Sequence, residues 1–141
     1  MFLDASVVAA VLLQEEDGPA FLKAMEAARG TLRYSPIVRL EATLALVRKR
    51  VERRGKGPAT AEDFAAATEL VDELLKALEA KEMHITGSMG AEAIRALSVY
   101  GKVVGHPAQL NMGDALSYAC AKAYHVPLLY KGDDFSKTDV A

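Results

Sequence analysis

The alternation of short apolar runs with longer amphipathic segments constrains the fold of this chain most. Met1-Phe2-Leu3 is a short apolar run closed by Asp4, and Ala5-Ser6 leads into a second apolar run, Val7 to Leu13. That order reads as a buried strand, an acid at its tip, and a helix. Thr31–Tyr34 and Val126–Tyr130 also have strand character, Met83–Thr86 is a shorter candidate, and Thr138–Ala141 is expected as an edge strand. Helices are expected over Ala5–Leu13, Pro19–Ala28, Ser35-Pro36 to about Arg54, about 61–81, Gly87–Tyr100 and Met112–Tyr124. Ser35 is a natural N-cap with Pro36 in the first turn, and Thr60 with Asp63 has the form of a capping box. Gly55-Lys56-Gly57-Pro58 then reads as a loop between two helices. Strands alternating with helices imply a parallel sheet covered on both faces. In such a sheet, ligands bind outside the carboxyl ends of the strands, where Asp4 falls.

The chain has 141 residues, which suits one domain, and 51% of them are hydrophobic, enough for a real core. The net charge of −2 argues against a broadly basic nucleic-acid binder. Contact with nucleic acid must come from a local basic patch or through bound cations. The single cysteine, Cys120, forbids an internal disulfide and fits a reducing compartment. No leader precedes the first strand and no apolar run approaches about 18 residues. A soluble, cytoplasmic protein with no membrane segment is expected.

Three more acidic sites accompany Asp4. Glu41 lies on or beside the inward side of its helix, with Ile37, Leu40, Leu44 and Val47 around it. Its plain alternative is a rim glutamate paired with Arg39 or Arg48. Asp114 follows Asn111-Met112-Gly113. An acid at that position also suits a capping box or the helix dipole. That account leaves Gly113 unexplained; a glycine beside the acid allows a ligand close to the backbone. Asp133 and Asp134 follow the strand Val126–Tyr130, and Gly-Asp-Asp is also good turn chemistry. Strand ends and early helix positions share one edge of a parallel sheet. Carboxylates gathered there repel, and a divalent cation removes that penalty. Oxygen-only ligands suit Mg²⁺ or Mn²⁺, and two such ions about 4 Å apart support phosphodiester hydrolysis.

Other chemistries lack their residues. There is no phosphate loop, no dinucleotide-binding glycine fingerprint and no nucleophile elbow. His84, His106 and His125 are scattered and have no zinc-ligand spacing. The end of the long helix is basic: Arg48, Lys49, Arg50, Arg53, Arg54 and Lys56, opposed only by Glu52. The helix dipole accounts for two or three of these. Six fit a phosphate-contacting patch, or equally a surface for an acidic partner.

Four segments carry a resemblance over the whole chain: Met1-Phe2-Leu3-Asp4-Ala5-Ser6, Ser35-Pro36-Ile37-Val38-Arg39-Leu40-Glu41, the stretch from His106 to Asp114, and the stretch from Pro127 to Phe135. They resemble the PIN-domain ribonucleases, specifically the VapC-type toxins of bacterial toxin–antitoxin pairs. The resemblance implies a three-layer α/β/α fold, with a parallel sheet in order 3-2-1-4-5 and helices on both faces. It implies a Mg²⁺- or Mn²⁺-dependent endoribonuclease. Its acids fall on Asp4, Glu41 and Asp114, with Asp133 and Asp134 competing for the fourth place. Ser6 falls where a small hydroxyl residue supports the metal site, and Arg39, Arg48 and Lys49 are candidates to position the RNA strand. A homodimer and a cognate VapB-type antitoxin are also implied.

Two other readings stand beside this one. A non-catalytic module could use the same cleft to hold RNA or a protein tail, although a phosphate binder has no use for four acids. A phosphotransferase would use Asp4 as nucleophile, but such families usually carry a second aspartate two residues on, where this chain has Ser6.

Overall fold

Phe2 and Leu3 are both completely buried and form the inner strand β1 (Phe2–Leu3). A strand covered on both faces needs an unbroken apolar run, and the first three residues supply it. The computed structural model describes residues 1–55 and 57–140. After β1 come α1 (Ala5–Leu12), α2 (Gly18–Ala27), β2 (Arg33–Tyr34), α3 (Pro36–Arg54), α4 (Ala61–Ala77), β3 (Lys81–Glu82), α5 (Gly87–Tyr100), α6 (Met112–Ala123) and β4 (Leu128–Leu129). Short 3₁₀ turns cover Lys102–Val104 and Phe135–Lys137. All strand pairs are parallel, in the order β3-β2-β1-β4, with Phe2 opposite both Arg33 and Leu128.

This order decides which face each helix covers. The steps β1 to β2 and β2 to β3 lead one way, and the step β3 to β4 returns across the sheet. Right-handed crossovers therefore put α1–α4 on one face and α5–α6 on the other. The packing agrees: α1 lies on α2 and α3, α3 on α4, and α5 on α6. The chain switches direction between β1 and β4, so a crevice opens at their carboxyl ends. There α3 also meets α6.

Local chemistry sets the helix ends. The Ser35 hydroxyl accepts from the Val38 amide at 3.2 Å, with Pro36 opening α3. Thr60 and Asp63 form the expected capping box, as do Asn111 and Asp114.

Three expectations need correction. The third strand lies at Lys81–Glu82, not Met83–Thr86, and α4 stops at Ala77 rather than about 81. The helix breaks because Leu78 is drawn into the core while Glu79 takes a left-handed φ of 53° and the Ala80 amide donates back to Leu75. The strand itself is an exposed, charged edge held by main-chain bonds to Leu32 and Tyr34, so it has no apolar signature. Thr86 instead caps α5. The expected fifth strand does not form over Thr138–Val140, which is a bend and turn; Ala141 lies outside the described residues. There the Thr138 hydroxyl donates to the Phe135 carbonyl and Asp139 is engaged by Tyr118 and Lys122. Among the described residues, no helix is long and apolar enough to cross a membrane.

Candidate metal centre

Asp4 is the N-cap of α1, so the end of β1 and the start of the helix fix its position. It is only 6% exposed. Its Oδ2 accepts from the Ser6 amide at 3.1 Å and from the Ser6 hydroxyl at 2.6 Å. Its Oδ1 accepts from the Ser117 hydroxyl at 2.8 Å. The Ser6 oxygen in turn accepts from the Lys131 amide at 3.0 Å, which fastens the end of β4 to the same point. The Lys131 ammonium pairs with Glu15 and Asp17, each at 3.1 Å.

Glu41 reaches this crevice from α3 and Asp114 from α6. The Glu41 carboxylate sits against the backbone of Gly113, where a Cβ would collide with both of its oxygens. Gly113 thus leaves the space that the Glu41 carboxylate occupies, which the sequence alone did not reveal. Burial pushes the Glu41 carboxyl up from 4.5 to about 7, helped by the charges of Asp4 and Asp114 and opposed by Arg48. Burial likewise raises Asp114 from 3.8 to about 6. The hydrogen bond from the Asn111 amide opposes that rise, and the charges of Asp4 and Asp134 add to it. Asp114 therefore serves twice: one oxygen caps α6 at 3.1 Å from the Asn111 amide, and its charge belongs to the acid group.

Between the two candidates for the fourth place, the field of Asp134 reaches Asp114. Asp133 serves the turn through its carbonyl, which accepts from the Ser136 amide and hydroxyl.

The cations separate by helix face. At 3.6 residues per turn, Arg48 returns to the side of α3 that carries Glu41, while Arg39, Arg50 and Arg54 fall on the opposite side, toward α4. Arg39 makes a two-pronged pair with Asp72 at 2.7 and 2.8 Å, so its guanidinium is already engaged. Arg50 and Arg54 both pair with the buried Asp63. The expectation that Glu52 alone opposes this basic segment is corrected by that contact. Lys49 lies 3.7 Å from Glu52. Lys56 lies outside the described residues. The histidines stand apart from the acids: His106 accepts from the Ala108 amide and packs edge-on against Tyr100, while His84 and His125 are exposed.

Sequence reasoning missed Ser117 and the burial of Asp63. Ser117 was detectable in principle, because three residues after Asp114 it shares the same side of α6.

The donor set suits a hard divalent ion: carboxylate oxygens, with no thiolate or imidazole among them. Among the described residues, no three acidic, histidine or cysteine side chains are drawn tightly enough to form a ready-made cage. The acids converge through their fields and through the contact of Glu41 with Gly113. A cavity of about 540 Å³ opens elsewhere, between α5, α6 and the tail, where Glu92, Arg95, Lys122 and Asp139 already satisfy one another.

The PIN domain family model matches residues 1–141. A VapC ribonuclease of Rhizobium meliloti (strain 1021) is 45% identical over 140 residues, covering 99% of this chain and 98% of that protein. Ribonuclease VapC42 of Mycobacterium tuberculosis is 30% identical over 141 residues, covering 99% of this chain and 96% of its own. The fold is also that of the crystal structure of Mycobacterium tuberculosis VapC20, described as a sarcin–ricin loop cleaving toxin, with a TM-score of 0.68 at 15% identity over 96% of this chain and 92% of that one. The chain belongs to the PIN-domain family and, within it, to the VapC ribonucleases.

Proposed function

We propose that the chain is the toxin of a type II toxin–antitoxin pair, an endoribonuclease that hydrolyses RNA phosphodiesters with Mg²⁺ or Mn²⁺. The observation that carries this reading is the convergence of Asp4, Glu41 and Asp114, with the charge of Asp134 beside them, at the switch point of the sheet. Asp4, Glu41 and Asp114 hold the ion, and Asp134 rather than Asp133 completes the acidic set. When bound, the ion supplies Lewis acidity toward the phosphodiester and makes a coordinated water more acidic.

The chain's own residues do the rest. Asp4 is oriented by Ser6. Glu41, with one carboxylate oxygen toward the ion, orients the attacking water and accepts its proton at the other. The new phosphorus–oxygen bond then forms as the leaving sugar oxygen departs with its bond pair. Arg48, roughly 10 Å beyond Glu41 on the same side of α3, meets a neighbouring phosphate, and Lys49 adds charge beside it. Arg39, engaged by Asp72, has a weaker claim to the strand.

The relatives' names support RNA as substrate and a VapB-type antitoxin as partner. Leu40 and Phe64 are 52% and 40% exposed and flank one concavity between α3 and α4, which supports a homodimer through this region. A cytoplasmic location agrees with the partner and substrate. The test is RNA cleavage by wild type and Asp4→Asn with Mg²⁺, with Mn²⁺ and with EDTA. Loss of cleavage in EDTA and in the folded variant is expected. Wild-type cleavage in either case overturns the reading.

A further inference from the structure

Asp4 is held from two sides, and one of them comes from far along the chain. An ionised carboxylate has about four lone-pair positions. The Ser6 amide and hydroxyl occupy two on Oδ2, and the Ser117 hydroxyl occupies one on Oδ1. One position on Oδ1 is left for a ligand. Ser117 is only 1% exposed, so water does not compete for its hydroxyl. A serine inside a helix commonly donates back to the carbonyl one turn earlier. Here the single proton goes instead to a residue 113 positions away in sequence.

Resting on the metal-dependent reading above, we infer that Ser117 is a positioning residue: it fixes Asp4 so that one Oδ1 lone pair faces the ion, and it ties Asp4 to Asp114 through one turn of α6. Ser117 touches neither RNA nor ion. Its effect is transmitted through Asp4, in the way that groups hydrogen-bonded to metal ligands hold those ligands in place. Because Asp114 stands three residues earlier on the same helix, any movement of α6 shifts both acids together. The Ser117 bond therefore sets the distance between the first and third acids, a role the Ser6 bonds cannot fill because Ser6 belongs to the helix that Asp4 caps.

The decisive measurement is Mn²⁺ binding to the full chain by titration calorimetry, with steady-state RNA cleavage beside it. Ser117→Ala is expected to weaken Mn²⁺ binding by about 10- to 100-fold and to lower kcat while leaving KM for RNA unchanged. Its melting temperature should stay close to wild type. Ser117→Cys, which keeps the volume with a weaker donor, should fall between the two and covers the case in which the alanine variant folds poorly. Wild-type Mn²⁺ affinity and kcat in both variants would overturn the inference. Asp4→Asn is the control that separates the two proposals. If it loses Mn²⁺ binding while both Ser117 variants keep theirs, only the role of Ser117 fails. If Asp4→Asn binds Mn²⁺ as well as wild type, the metal-centre reading fails and the positioning role with it.

Discussion

The Glu41 carboxylate rests on the backbone of Gly113, in space that a Cβ at 113 would occupy. This contact brings α3 and α6 together at the open edge of the sheet and sets Glu41 beside Asp114. Gly113 lies inside the first turn of α6, where alanine is the better helix former by about 1 kcal/mol. Gly113→Ala should therefore leave the helix content intact while expelling Glu41. Cleavage is expected to fall by on the order of 100-fold, since misplacement by about an ångström suffices for that. Circular dichroism and a cleavage assay on the same sample check both halves.

The raised carboxyls make the metal-free protein sensitive to pH in a defined direction. Glu41 titrates near 7 when folded and near 4.5 when unfolded; Asp114 titrates near 6 and 3.8. Between these values the folded state binds more protons than the unfolded state, so stability falls as pH rises. Their contribution is most favourable below about 4 and is lost by about 7. Thermal melts in EDTA, taken as wild type minus Glu41→Gln across pH 4 to 8, should show that slope. Mn²⁺ should flatten it, because binding releases the same protons.

Asp63 should behave in the opposite sense. Arg54 above all, with the Thr60 amide and Arg50, holds its carboxyl well below the usual range. Its contribution is fully present above the ordinary value of 3.8 and is lost as pH falls through the depressed folded value. Asp63→Ala removes half of a capping box and the shared partner of two arginines, so the melting temperature should drop. Cleavage per folded molecule should not change, since this cluster lies on the far side of α3. Melting curves and active-fraction assays separate the two effects.

Asp134→Asn should cost more than Asp133→Asn. Only the former removes a charge that acts on Asp114. A loss on the order of tenfold or more in Mn²⁺ affinity or rate is expected for Asp134→Asn, and little change for Asp133→Asn. Equal losses in the two variants would reverse the assignment.

Arg48→Ala should weaken RNA binding and lower the salt slope of binding by about one. Arg54→Ala should instead act on stability through Asp63. Binding isotherms at several salt concentrations, beside thermal melts, distinguish the two.

Features that depend on a few neighbouring residues were legible in the sequence. Ser35-Pro36, Thr60 with Asp63, and Asn111 with Asp114 cap the helices where their chemistry places them. The apolar start marks the inner strand because burial on both faces leaves no other composition possible. Strand β3 was misplaced because an edge strand is held by main-chain bonds, and Lys81 and Glu82 bury no apolar face. The expected strand at the tail failed because its main-chain donors are used locally: the Thr138 amide donates to the Phe135 carbonyl and the Val140 amide to the Thr138 hydroxyl.

Residue type and local spacing alone determined that acids fall at strand tips and helix starts. Only the tertiary structure decided what each of them touches. Arg39 pairs with Asp72, Gly113 leaves room for Glu41, and Ser117 reaches Asp4 across 113 residues. Such contacts depend on how helices pack across the sheet edge, and packing between distant segments leaves no period in a sequence.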